Sequence, residues 1–92
     1  MAEIDVTRVE GGDELAFEVE VREGRGATQH RVTLRRSDYR RLAGEAVTPE
    51  ELVEESFRFL LEHEPKESIL RSFDLTVIGR YFPEYEKEIR RR

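Results

Sequence analysis

Leu15-Ala16-Phe17-Glu18-Val19-Glu20-Val21-Arg22 and, after a short glycine-bearing stretch, Thr28-Gln29-His30-Arg31-Val32-Thr33-Leu34-Arg35 decide the fold. In the first, Leu15, Phe17, Val19 and Val21 alternate with polar or small residues; in the second, His30, Val32 and Leu34 do. A period of two puts one set of side chains on one face of a strand, so each stretch reads as a half-buried strand. Glu23-Gly24-Arg25-Gly26-Ala27 between them supplies a turn, and together they predict a β-hairpin. Setting Val19 opposite Val32 places Phe17 by Leu34 and Val21 by His30. On the other face it brings Glu20 to Arg31, with Ala16 beside Arg35. Such opposite charges across a strand pair are worth about 0.2–1 kcal/mol. The strand arginines therefore have acidic neighbours within the sheet.

Upstream, residues 2–10 alternate more loosely, with Ile4 and Val6 on one side, before Gly11-Gly12-Asp13 breaks the run. Downstream the period changes to helical. Ser37 or Asp38 can cap a helix of about two turns that carries Tyr39 and Leu42 and ends at Gly44. Thr48-Pro49-Glu50-Glu51 is a capping box with proline at the first helical position. The helix it opens should run to about Glu64, because Pro65 stops it. Its apolar residues Leu52, Val53, Phe57, Phe59, Leu60 and Leu61 cover roughly 200° of the helical wheel, more than a one-sided surface helix requires. Such a helix either packs between the sheet and later helices or joins a dimer.

Pro65 can open a further helix holding Ile69 and Leu70, and Asp74 can cap another. From there Leu75, Ile78, Phe82, Tyr85 and Ile89 form one stripe at spacings of three and four, which Pro83 should split. The expected fold is α+β: a three-stranded antiparallel meander followed by three to four helices packed on one face. With 92 residues it is a single domain, 1–92, with a strand half at 2–36 and a helical half at 37–92. The expected core is Ile4, Val6, Phe17, Val19, Val21, Val32, Leu34, Leu52, Phe57, Leu60, Ile69, Leu70, Leu75 and Ile78.

Composition narrows the function classes. There is no cysteine, which excludes disulfides, thiol catalysis and iron–sulfur clusters. No apolar run reaches the roughly 20 residues of a membrane span, and Met1-Ala2-Glu3-Ile4-Asp5 is acidic where a secretory signal would be basic. The chain reads as cytoplasmic. A net charge of −5 argues against a uniform polyanion-binding surface. The charge is nevertheless uneven. Residues 22–41 hold seven Arg against two acids, a balance of +5, and residues 45–64 hold seven Glu against Arg58, a balance of −6. These segments would face each other or occupy separate solvated faces.

No catalytic motif is present, and no cofactor or metal is expected. His63 has Glu62, Glu64 and Glu67 nearby but lacks the spacing of a paired metal site, and His30 sits inside the hairpin. Serines 37, 56, 68 and 72 lack the setting of an activated nucleophile. The least ordinary feature is the aromatic cluster Phe73, Tyr81, Phe82 and Tyr85: with Pro83 breaking the helix, Phe59, Tyr81, Phe82 and Tyr85 are the candidate interaction surface.

Two local resemblances accompany this reading. The stretch FLLEHEPKESILRSFDLTVIGRYFPEYE, Phe59–Glu86, resembles the C-terminal signature of a family of short uncharacterised bacterial proteins. That resemblance implies no activity. Val32-Thr33-Leu34, then Ser37-Asp38-Tyr39, then Thr48-Pro49-Glu50-Glu51-Leu52 is similar in order to a ribbon-helix-helix DNA-binding module. It implies nucleic-acid contacts through Gln29, Arg31, Thr33 and Arg35, the outward residues of the strand. The chain departs from that pattern: its first helix is short, its second is acidic, and the strand already has a partner in residues 14–23. The first functional expectation is therefore a non-enzymatic protein-interaction domain with an unknown protein partner or a second copy of itself. The second is a ribbon-helix-helix-like regulator. A small enzyme using His30 or His63 beside a carboxylate ranks last.

Overall fold

A computed structural model describes residues 2–43 and 47–92. The order of elements is β1 (Glu3–Val9), β2 (Leu15–Glu23), β3 (Gly26–Leu34), α1 (Arg36–Ala43), α2 (Pro49–His63), β4 (Ser72–Asp74), α3 (Ile78–Tyr81) and α4 (Tyr85–Arg90). Single turns of 3₁₀ helix stand at Lys66–Ser68 and Leu75–Val77. Gly44, expected to end α1, lies outside the described residues.

The strands form one sheet in the order β1-β2-β3-β4. The first three are an antiparallel meander, as the alternation predicts; β4 joins β3 in parallel. The sheet is thus mixed and four-stranded, not the three-stranded meander expected. Ile4, Phe17, Val19, Val21, His30, Val32 and Leu34 are buried on the inner face, against the helices. The outer face carries Glu18, Glu20, Gln29 and Arg31.

The hairpin register differs from the expected one by two residues. Val19 faces His30, Phe17 faces Val32, and Glu18 rather than Glu20 faces Arg31. The turn is responsible. Glu23 pairs with Gly26, so the loop is only Gly24-Arg25, and Gly24 has φ +64°. A positive φ at the first loop position belongs to a type II′ turn, whose twist matches the strands it joins. A slip of two leaves every side chain on its own face, so the inner set survives the change of partners.

The capping box forms as expected: Thr48 Oγ1 accepts from Glu51 N at 3.1 Å, and Glu51 Oε1 accepts from Thr48 N at 3.2 Å. The wide apolar arc of α2 is explained by two neighbours. Phe57 meets the sheet side, 5.3 Å from the His30 ring and 5.9 Å from Phe73. Phe59 meets the C-terminal side, 5.4 Å from Tyr85 and 5.7 Å from Phe82. Packing between the sheet and the later helices thus accounts for the breadth of this apolar face.

Pro83 splits the last helix as predicted, and Leu75, Ile78, Tyr85 and Ile89 of the stripe are buried. The residues before it differ from expectation. Only one 3₁₀ turn follows Pro65, after which the chain extends into β4. Leu70, expected in the core, is 49% exposed, and Val6 is half-buried at the core margin. Adjacent residues of an extended chain point opposite ways. With Ile69 buried, Leu70 must face out.

The ion pairs of the basic segment run to neighbouring strands, within α1, and to α4. Arg22 reaches Glu3, Asp5 and Glu20, Arg31 reaches Glu18, and Arg41 reaches Asp38 and Glu86. Among the described residues none runs to the acidic segment. No helix among them is long and apolar enough to cross a membrane.

Candidate binding surface

The end of α2, the extended stretch after it, β4 and α3 surround an open apolar pocket of about 400 Å³. Each wall has a local cause. Pro65 ends α2, whose Leu60 and C-cap Glu64 form one wall. The chain then turns through Ser68, Ile69 and Leu70 toward the sheet, where pairing with β3 holds Phe73. Asp74 caps the next turn, accepting from Thr76 N at 3.1 Å and Thr76 Oγ1 at 2.7 Å. That turn leads into α3, which brings Val77, Ile78, Tyr81 and Phe82 to the opposite side. α3 stops after one turn, with Phe82 extended at φ −129° and ψ 91° before Pro83. Tyr81 is left 69% exposed. Leu70 and Tyr81 are the large apolar side chains exposed among the described residues, and both line this pocket. Its volume falls within the range of small-molecule clefts, and its lining is largely apolar.

The wall that bears Leu70 is tied to the sheet by a buried histidine. The Leu70 carbonyl can only accept, so His30 Nδ1 carries the proton and donates to it at 2.7 Å. His30 Nε2 is then the acceptor and takes the Thr28 hydroxyl hydrogen at 2.8 Å. Burial pushes the imidazole below the usual histidine range; the bond to Leu70 opposes this and the Arg71 charge adds to it. Sequence alternation placed His30 inward; its bond to a residue 40 positions away has no local signal.

The aromatic candidates divide. Tyr81 is on the surface and Phe82 is half-buried in the pocket wall. Phe59 and Tyr85 are in the core and form no part of a surface. The break at Pro83 does not expose Tyr85. It lets α4 fold back so that the ring enters the interior, where its hydroxyl meets Ser56 Oγ at 2.7 Å. Ser56 spends its own hydrogen on the Leu52 carbonyl at 2.8 Å, so Tyr85 is the donor. Burial raises the Tyr85 pKa well above the ordinary phenol value. The sequence reading missed Leu70 and Val77 as surface-pocket residues, whereas Phe73 belongs to the aromatic cluster it singles out. Two neighbouring apolar residues in a segment too short for a helix, Ile69-Leu70, was the available signal.

The strand candidates sit elsewhere, on the outer face. Gln29 donates to Glu20 at 3.0 Å, Arg31 to Glu18 at 3.2 Å and Thr33 to Asp74 at 2.9 Å, and Arg35 lies 3.7 Å from Glu14. All four face carboxylates. β3 also has a strand on each side, β2 along its whole length and β4 along Arg31–Thr33, so the stretch that carries Arg31 and Thr33 is already paired where a ribbon-helix-helix strand would meet its copy. His63 is exposed and stacks on Phe59 at 4.6 Å and Phe82 at 4.9 Å. Among the described residues no group of three or more His, Asp or Glu side chains is arranged to hold a metal ion.

Comparison with known proteins returns no match: no family model, curated protein or solved structure is significantly similar to this chain.

Proposed function

We propose that the chain is a non-enzymatic protein-interaction domain and that the pocket between α2, β4 and α3 is its contact surface. One observation carries the reading. In a chain with 40% charged residues, the exposed large apolar side chains Leu70 and Tyr81 line the same apolar pocket. A small domain gains nothing from leaving such groups in water, and apolar surface gathered at one place marks interaction sites. Tyrosine suits the role, offering a large ring with few rotors and a hydroxyl that stays hydrated until a partner arrives.

A photo-crosslinking residue at position 81, compared with one at position 25 on the hairpin tip, tests the proposal in living cells. Discrete adducts from position 81 alone, abolished by Leu70→Glu, are expected. Identical adducts from both positions, or adducts indifferent to Leu70→Glu, would contradict it.

A further inference from the structure

Resting on the pocket as the contact surface, we infer that its occupant is an extended peptide segment. This segment adds along the outer edge of β4, inserts one large apolar side chain beside Leu70 and Tyr81, and carries aspartate or glutamate next to that side chain.

Three features point to this occupant. The first is the strand edge. β4 is the end strand of the sheet, and among the described residues no strand lies on its far side. The opposite end strand, β1, is guarded in the way edge strands usually are: Arg8 is clamped to Glu50 at 2.9 Å, and Glu3 and Asp5 are bound to Arg22 at 2.7 Å each. β4 has Ser72, Phe73 and Asp74, with no lysine, proline or bulge; its guard is its three-residue length, which makes pairing alone too weak and requires an added strand to draw on the pocket as well.

The second feature is position. Phe73 of β4 is itself a wall of the pocket. Side chains of an added strand alternate between the two faces, so one of them projects to the inner side where the pocket opens. Main-chain pairing would give affinity, and the pocket would select the side chain that fills it.

The third feature is charge. Arg71 follows Leu70 immediately, and Arg80 immediately precedes Tyr81. Among the described residues neither has a carboxylate within 4.0 Å. The nearby Glu67 is already taken by Lys66 at 2.8 Å. Neither arginine is part of the pocket lining, but each adjoins a lining residue and neither is ion-paired among the described residues, so in a chain of net charge −5 their positive charge near the pocket rim repels a basic segment and attracts an acidic one. Glu64 faces the pocket from the α2 wall, so the preference for acid belongs to the β4 and α3 side.

The test is selection from a random peptide library displayed on phage, with the full chain immobilised. Peptides of about seven residues suffice, spanning roughly 23 Å when extended. Selected sequences should carry one Leu, Phe or Trp with Asp or Glu adjacent. Their affinity, measured by fluorescence anisotropy, should fall about tenfold or more in Tyr81→Ala, as for a central anchoring contact. In the double variant Arg71→Glu, Arg80→Glu it should fall about three- to tenfold, and less at high salt. All these positions are on the surface, so the variants keep the fold. Backbone amides of Ser72 and Asp74 should become protected from hydrogen exchange on binding. Selection of apolar peptides that bind the arginine double variant equally well and leave β4 unprotected would overturn this inference while leaving the interaction reading standing. Failure to select any peptide, with a mass that doubles as concentration rises and reverts to monomer in Tyr81→Ala, would make a second copy the occupant and overturn it too. Failure to select any peptide from a strict monomer would remove both.

Discussion

The hydroxyl pair between Ser56 and Tyr85 allows the packing of α4 on α2 to be tested quantitatively. Both residues are fully buried, and the two bonds form a chain: Tyr85 donates to Ser56, and Ser56 donates to the Leu52 carbonyl. Ser56→Ala leaves the Tyr85 hydroxyl buried without a partner, at a cost of about 1–3 kcal/mol. Alanine's better helix propensity returns up to about 0.5 kcal/mol of that. Tyr85→Phe leaves only one lone pair of Ser56 unfilled, because Ser56 still donates to Leu52, and should cost about 0.5–1.5 kcal/mol. The double variant removes both polar groups and should be less destabilised than the sum of the two, with a coupling on the order of 1 kcal/mol. Urea unfolding followed by circular dichroism reads all four corners of the cycle. In heat unfolding each kilocalorie should move the midpoint by about 4–8 °C for a domain of this size. Strict additivity, or a Tyr85→Phe variant more damaged than Ser56→Ala, would show that the bond or its direction is misassigned.

Other outcomes follow from the same structure. His30 is held neutral, with its folded pKa below the unfolded value of about 6.5. Its contribution is therefore complete above that pH and is lost as pH falls from about 6.5 toward the lower folded pKa. The urea midpoint should drop between pH 7 and 5, and the drop should flatten in His30→Asn; an unchanged slope would exclude His30 as its source. Thr48→Ala removes the bond that the Thr48 hydroxyl accepts from Glu51 N, while the backbone N of residue 48 still donates to Glu51, and should cost about 0.5–2 kcal/mol, whereas Thr48→Ser should be nearly silent in the same assay. Gly24→Ala forces a side chain into φ +64° and should cost about 1–2 kcal/mol, while Arg25→Ala, at the loop position without positive φ, should cost little. Equal losses in the two would contradict the turn geometry. Arg31→Ala should lower the unfolding midpoint very little, since its pair with Glu18 is half exposed and such pairs are worth about 0–1 kcal/mol.

The inner faces of the strands, both ends of α2 and the break at Pro83 were all legible, because each depends on near neighbours in the chain. The alternation Leu15-Phe17-Val19-Val21, the box at Thr48–Glu51 and the two prolines each specify local structure by sterics or by a bond a few residues long. What was not legible depends on distant partners. The hairpin register turned on whether two or more residues form the loop at Gly24, and alternation is blind to a slip of two. β4 is three residues long, too short for a period, and exists because β3 offers it an edge. Tyr85 could be recognised as part of a helical stripe, yet which way the chain turns after Pro83 decides whether that stripe meets α2 or water. The same holds for the pocket: Tyr81 was recognisable as an aromatic near a helix break, but Leu70 becomes a pocket residue only because His30 and β3 hold its segment extended.

Whether the pocket is the chain's binding surface is tested most directly by carbon-13 methyl and amide NMR during a screen of small aromatic and aliphatic fragments. Such fragments gather where a protein surface is suited to bind. The predicted result is that shift changes concentrate on the methyls of Leu60, Ile69, Leu70, Val77 and Ile78, and are lost in Tyr81→Ala. Changes spread evenly over the surface, or centred on the outer face of the sheet around Glu18 and Arg31, would contradict it.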